Sequence, residues 1–299
     1  MKNQDRGFRI GAHIVLMLLS LLAILPFLLL IIGSFTDNAW AIANGYSFFP
    51  KEWSLKAYQY IGQQWSTIGR AYLVTIFVTV FGTALGLLIT SMLGYALSRP
   101  ELPGRGIILV FVVITMLFNG GIVASYFIWT QVFHIKNTIW ALIFPNLLAN
   151  AFNIILLKNY FENDIPRALL ESAFLDGASE LKTFTSIVLP LSLPILATVG
   201  LMSALAYWND WTNGLYYLSE RGGSQYYSVQ NILNSMNNNI QFLANNATEL
   251  AKAGMSGADL PSTTVRMAIA VVGIIPILAA YPFFQKYFVK GITIGAVKG

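Results

Sequence analysis

Residues 71–98 read AYLVTIFVTVFGTALGLLITSMLGYALS. Arg70 and Arg99 bound this run, and no Asp, Glu, Lys or Arg falls between them. A helix that crosses the hydrocarbon core of a bilayer needs about 20 predominantly apolar residues. The run meets that length, and its excess can tilt or enter the headgroup layer. Five further charge-free stretches qualify or come close: 10–36, 106–135, 137–157, 183–209 and 267–285. His134, near the end of one of them, reads as neutral. Six such stretches in one chain argue against buried helices of a soluble globule. The expected fold class is therefore all-α: a polytopic membrane protein with six transmembrane helices.

Composition agrees. Charged residues make up 10% of the 299 residues and hydrophobic ones 56%, where a soluble domain carries about 25% charged residues. So few charges cannot solvate a globule, and lipid is the natural solvent for the rest. The chain has no cysteine, which excludes disulfide scaffolds, thiolate metal sites and thiol catalysis. Its net charge is +5, but no basic cluster forms the face that a nucleic-acid partner requires.

The N-terminus imitates a secretion signal. Lys2, Arg6 and Arg9 precede an apolar run, and Ala39-Trp40-Ala41 fits a small-x-small cleavage site. Signal cores span roughly 7–15 residues; this run reaches from Ile10 to Thr36 without a charge, and reads as a retained span. Threading six spans from an internal N-terminus places 11 of the 18 Lys and Arg residues inside. The short Arg99–Arg105 loop and the C-terminal tail carry the bias close to the spans. The positive-inside rule then puts both termini in the cytoplasm.

Two connections are long. The outer one, near 214–262, repeats Val229, Ile232, Leu233, Met236, Ile240, Leu243, Ala247 and Leu250. Spacing of three and four gives one apolar stripe on a helix near 229–250, with an Asn- and Gln-rich face opposite. Such a helix can pack on its own bundle, lie on the membrane or meet a partner. Pro26, Pro145, Pro276 and Gly120-Gly121 interrupt the apolar runs and point to kinked helices, tolerated where neighbours or water satisfy the freed backbone.

The inner connection, near 160–190, reads Glu171-Ser172-Ala173-Phe174-Leu175-Asp176-Gly177-Ala178 and continues through Phe184, Ile187, Leu189-Pro190 and Pro194. Asp164 is placed to cap a helix starting near Pro166, a residue suited to a first turn. Gly177 can supply the left-handed residue that ends it. A second helix follows from about Ala178. The product is a helix, a tight glycine turn and a helix, a knob suited to a separate soluble domain.

This string resembles the EAA loop of binding-protein-dependent ATP-binding-cassette (ABC) import permeases. Within that family the chain is similar to the second permease subunit of the carbohydrate-uptake branch, the maltose-permease group, and closer still to Gram-positive permeases for complex oligosaccharides. Gly120-Gly121, Trp208-Asn209, the run from Tyr281 to Gly291 and the terminal Gly295-Ala296-Val297-Lys298-Gly299 match as well. The resemblance covers nearly the whole chain. Ser172 departs from the family's alanine but is small enough for the same packing.

The resemblance implies an importer subunit in a bacterial plasma membrane that is not itself an enzyme. Its partners would be a second homologous permease, two ATPase subunits and an extracellular sugar-binding protein. This chain would bind no cofactor or metal, with ATP and magnesium held by the ATPases. The chain would divide into an N-terminal span and outer connection (1–70), a permease core (71–290) and a cytoplasmic tail (291–299). Glu171, Ser172, Ala173, Asp176, Gly177 and Ala178 would dock the ATPase.

For the sugar path, aromatic faces combined with amides suit a ligand with apolar ring faces and polar edges. Tyr207, Trp208, Asn209 and Trp211 form one candidate cluster, and Asn119, Tyr126 and Trp129 another. An interfacial aromatic belt explains the same residues. On the outer helix, Asn234, Asn237, Asn238 and Asn239 would meet the binding protein.

Other classes fit less well. Ion-coupled carriers place ionisable groups inside the membrane, whereas the apolar runs here hold none in their middles. No HExxH and no phosphate-binding GxxxxGK[ST] occurs, so ATP hydrolysis must come from another chain. A passive channel leaves the inner knob unexplained.

Overall fold

The computed structural model describes residues 4–245 and 263–296. Helices dominate, and among the described residues no strand occurs beyond an isolated bridge between Thr36 and Trp53. The chain groups into two compact units. One takes the described residues of Met1–Ile68 and Ile232–Ile277, the other those of Gly69–Asn231 and Leu278–Gly299.

In the first unit, α1 (Gln4–Ser34) is apolar on every side beyond its charged first turns, and Ile14 to Leu22 lie exposed along it. A helix apolar all round is built for lipid or for a partner helix rather than water. Asp37 then caps α2 (Asn38–Asn44), its Oδ1 accepting from the Ala39 and Trp40 amides at 2.9 and 3.4 Å. α3 (Lys56–Gln63) buries Ala57 and Ile61, four residues apart on one face. Its Tyr58 hydroxyl lies 2.8 Å from the Ser34 hydroxyl, and its ring stacks on Phe35.

The second unit begins on α4 (Trp65–Ser98), an unbroken 34-residue helix. α5 (Arg105–Leu117) follows a short loop, and α6 (Gly121–Phe127) runs into a π-helical turn, Ile128–Val132. The two directions differ by 119°. Gly121, at φ +77°, makes that corner, and the Asn119 side chain accepts its amide at 2.9 Å. What the sequence presents as a kink is thus a full change of direction.

Further along lie α7 (Ala151–Asn163), α8 (Arg167–Leu175) and α9 (Glu180–Thr183). A π-helical turn, Phe184–Val188, leads to α10 (Leu189–Leu191), α11 (Leu193–Asn209) and α12 (Thr212–Tyr217). α13 (Val229–Asn245) and α14 (Thr263–Ala296) complete the described elements.

Length and composition of the described helices bear on the membrane count. Among the described residues, three helical segments are long and apolar enough to cross a bilayer unbroken: Gly7–Ser34, Trp65–Ser98 and Thr263–Pro282. The pairs Arg105–Leu117 with Gly121–Val132 and Glu180–Leu191 with Leu193–Asn209, bent by 119° and 83°, raise the number to five. The expected fourth span, 137–157, is not one helix. It holds a single 3-10 turn, Ile139–Leu142, then irregular chain up to the Asn150 cap of α7. Pro145 has no amide hydrogen to donate and disfavours helix at the residue before it. Asn137 and Asn146 stand at φ +59° and +62°.

Irregular backbone is costly away from water unless protein groups satisfy it. Here the Tyr207 hydroxyl donates to the Ile143 carbonyl at 2.8 Å, and the Asn213 amide donates to the Pro145 carbonyl at 3.0 Å. Tyr207 reaches this place over Gly82, where a Cβ would stand only 2.5 Å from its ring.

Candidate functional site

The connection between α7 and α11 folds as a knob on the second unit. Asp164 does not cap α8, contrary to the sequence expectation. Its amide instead closes α7 on the Tyr160 carbonyl at 2.9 Å, and α8 starts after Pro166 with no side-chain cap. Proline at that boundary removes one donor that would otherwise need a partner. Leu170 and Ala173 are buried, and Leu170 packs with Leu157, Phe161, Ile165, Phe184 and Val188. Burying a leucine of this kind contributes about 1.5–3 kcal/mol.

The end of α8 follows the sequence reading. Gly177 sits at φ +76°. The Ala178 amide donates to the Ala173 carbonyl at 2.9 Å, and the Gly177 amide to that of Phe174 at 3.0 Å. This pair of bonds is the Schellman closure. A Cβ on Gly177 would meet nothing within 4 Å, so only its backbone conformation restricts the position. Ser172 is accommodated at the surface, its hydroxyl donating to the Leu169 carbonyl at 3.1 Å.

The outer face of the knob is Arg167, Ala168, Leu169, Glu171, Ser172, Leu175 and Asp176. Leu175 is 89% exposed and Leu181, on α9, 64%. Glu171 also lines a small cleft with Ser98, Arg99, Glu101, Phe161, Glu162, Arg167 and Leu170. An apolar tip beside charged groups is the composition of a surface that another protein covers.

Two charge networks brace the knob's base, and the sequence reading missed both. Glu162 on α7 pairs with Lys158 and, at 2.7 Å, with Arg105 at the start of α5. Hydrogen bonds from Lys158 and then Arg105 hold its carboxyl below the usual glutamate range. In the second network, the Tyr95 hydroxyl donates to Glu180 at 2.6 Å, and Arg99 lies 3.9 Å from the same carboxylate and 3.7 Å from Glu101. Arg99 and Arg105 were legible only as cytoplasmic charge, because Glu180 and Glu162, which tie them to other helices, lie far along the chain.

A match to the family described as "Binding-protein-dependent transport system inner membrane component" spans residues 82–294. The chain belongs to that family. As a member it is a membrane permease subunit and not a catalytic one. It is 39% identical over 299 residues to the polygalacturonan/rhamnogalacturonan transport system permease protein YtcP of Bacillus subtilis, covering all of both chains. It is 29% identical over 287 residues to the trehalose/maltose transport system permease protein MalG of Thermococcus litoralis, covering 94% of each. Among solved structures it resembles a chain of a bacterial ABC transporter involved in the import of the acidic polysaccharide alginate. That likeness has a TM-score of 0.78 and 30% identity, and covers 96% of this chain and 98% of the other.

In this inner membrane component the two candidate aromatic clusters partly merge. Tyr126, Trp129 and Tyr207 share one core with Tyr217 and Ile143. Tyr126 stacks on Tyr217 at 6.0 Å, and its hydroxyl accepts from Lys136 at 2.8 Å. Tyr207 and Trp208 are buried. Asn119 and Asn209 are exposed, the former at the α5–α6 corner and the latter donating to the Leu205 carbonyl at 2.9 Å. Trp211 is exposed, and its carbonyl accepts from Asn231 at 2.7 Å. Burial raises the Asp210 carboxyl above the usual range, opposed by hydrogen bonds from Asn213 and Thr212.

The striped helix α13 starts where its periodicity predicts. Ser228 and Asn231 bond reciprocally across its first turn, and the Val229 amide donates to the Thr75 hydroxyl at 2.9 Å. Val229 and Ile232 are buried. Of the four asparagines, Asn238 and Asn239 are exposed and Asn234 half-buried. Asn237 accepts from Arg266 at 2.9 Å, so its carbonyl serves its own bundle. Residues 246–250 of the expected helix lie outside the described residues.

Proposed function

We propose that this chain is the permease subunit of an ATP-binding-cassette importer that moves a sugar or oligosaccharide delivered by an external binding protein. Two ATPase subunits and a second permease complete the transporter. The exposed Leu175 and Leu181 carry the reading: an apolar tip that closes its own helix end and still faces outward has been left for a partner. Glu171, Ser172, Asp176 and Gly177 surround that tip with Ala173 and Ala178 beneath, and the ATPase docks there. Relatives named for polygalacturonan, rhamnogalacturonan and alginate favour a uronate-containing cargo. Six crossings with both termini in the cytoplasm follow if the broken segment before α7 serves as the fourth crossing.

Tyr207 is a structural donor rather than a sugar platform. Asn119, Tyr126, Trp129, Trp208, Asn209 and Trp211 remain for the path, Trp208 as a buried member. On the outer helix, Asn238 and Asn239 are left to face the binding protein, with Asn234 beside them. The test is purification of the tagged chain from its native membrane, followed by a uronate and neutral oligosaccharide screen on the cognate binding protein. Recovery of an ATPase and a second permease is expected; a chain that purifies alone and transports alone would contradict the reading.

A further inference from the structure

We propose that Tyr95, Arg99 and Glu180 are positioning residues that carry movement of the α8 knob into α4. The proposal rests on the docking reading above. Glu180 follows the Gly177 turn and sits at the first position of α9. One oxygen takes the Tyr95 hydroxyl at 2.6 Å and the other faces Arg99 at 3.9 Å. Arg99 also lays its guanidinium 5.2 Å from the Phe174 ring of α8 and 6.0 Å from that of Tyr95. One cation at the end of α4 therefore touches both helices of the knob.

Tyr95 otherwise meets the knob's base through apolar packing, with its ring 5.1 Å from that of Phe184 and 6.4 Å from that of Phe161. Such contacts let surfaces slide, whereas directional hydrogen bonds to a carboxylate fix a register. The route along the chain is jointed. From α9 it passes a π-helical turn, Pro190 and the break at Ser192, with an 83° bend. α4 has no such break over its 34 residues. The lateral bond to α4 is the stiff route out of the knob, and the chain itself is the compliant one.

The test uses the assembled transporter in proteoliposomes and needs no knowledge of the cargo. Arg70→Cys introduces a unique thiol, because the chain has no cysteine; Arg70 is exposed near the far end of α4. Its labelling rate is compared before and after trapping the ATPases with ATP and vanadate. Tyr95→Phe keeps the ring and removes one oxygen, so it leaves the packing in place. Losing a hydrogen bond to a charged group shifts an equilibrium by roughly tenfold. Tyr95→Phe and Glu180→Gln are each expected to shrink the nucleotide-dependent change in labelling by about that factor. The double variant should be no worse than either single one, as for residues in one network. Arg99→Lys should restore part of the response lost in Arg99→Leu.

Full nucleotide response in Tyr95→Phe and Glu180→Gln overturns the proposal, as does additive loss in the double variant. Loss of the ATPase from these variants also overturns it, since the link would then be part of the docking surface. The docking reading fails by a different result: Glu171→Lys with Leu175→Asp would retain the ATPase.

Discussion

Residues 137–150 and 166–179 both interrupt helical, apolar sequence, yet they end differently. The first segment hides its irregular backbone. Tyr207 and Asn213 reach across from α11 and α12 to take the carbonyls of Ile143 and Pro145, and Ile143 and Pro145 are fully buried. The second segment closes its own helix end through Gly177 and leaves two leucines, 169 and 175, outside, with Leu181 of α9 exposed just beyond it. A break satisfied from within is structural. A break that satisfies its backbone but not its apolar surface is waiting for a partner.

The contrast can be broken most sharply at the exposed break. Glu171→Lys combined with Leu175→Asp places a reversed charge and a carboxylate on the proposed docking face. ATPase recovered with the purified chain should fall more than tenfold, since losing a central contact and desolvating a charge each cost about 2 kcal/mol or more. The thermal midpoint of the chain in detergent should stay unchanged, because both side chains are exposed. A large drop in that midpoint would place Leu175 in the fold instead.

Asn213→Leu should do the opposite. It leaves the Pro145 carbonyl unpaired, at about 1–3 kcal/mol. Detergent melting should fall while ATPase stoichiometry in the surviving complex holds. Tyr207→Phe is a milder form of the same break, about 1 kcal/mol, and should not change uptake at limiting sugar. If uptake collapsed while stability held, Tyr207 would belong to the sugar path after all. Trp211→Ala, by contrast, should lower uptake several-fold with assembly intact, because an aromatic contact adds about 0.5–1.5 kcal/mol beyond its area.

The smallest effect concerns Glu162. Its folded carboxyl is held low by Lys158 and Arg105, so its contribution is complete above the ordinary glutamate range. It is lost as pH falls through the lowered folded value. Melting curves at falling pH should converge for the native chain and Glu162→Gln, and separate near neutrality. A constant gap at all pH values would mean that the network adds nothing dependent on charge.

Much of the exposed break was legible in the sequence. Gly177 had to be left-handed for a helix to end and another to start so soon after, and the 166–177 helix needed only local spacing. The hidden break was not legible. Pro145 marks a kink, but nothing local says that Tyr207, 64 residues on, donates to Ile143. The stripe beginning at Val229 predicted α13, yet Asn237 looked free until Arg266 approached it. Likewise Tyr95 and Glu180 lie 85 residues apart. Local periodicity and turn chemistry are written in neighbouring residues, whereas hydrogen bonds that staple one helix to another depend on packing.

The most direct measurement of the central claim is site-directed cross-linking at the exposed tip. With no native cysteine in the chain, Leu175→Cys gives a single reactive thiol, to be treated in native membranes with a short bifunctional reagent. A cross-link to the ATPase subunit is expected from Leu175→Cys and none from Asn238→Cys on α13. A Leu175→Cys thiol that links to no ATPase, or an Asn238→Cys thiol that does, would contradict that claim.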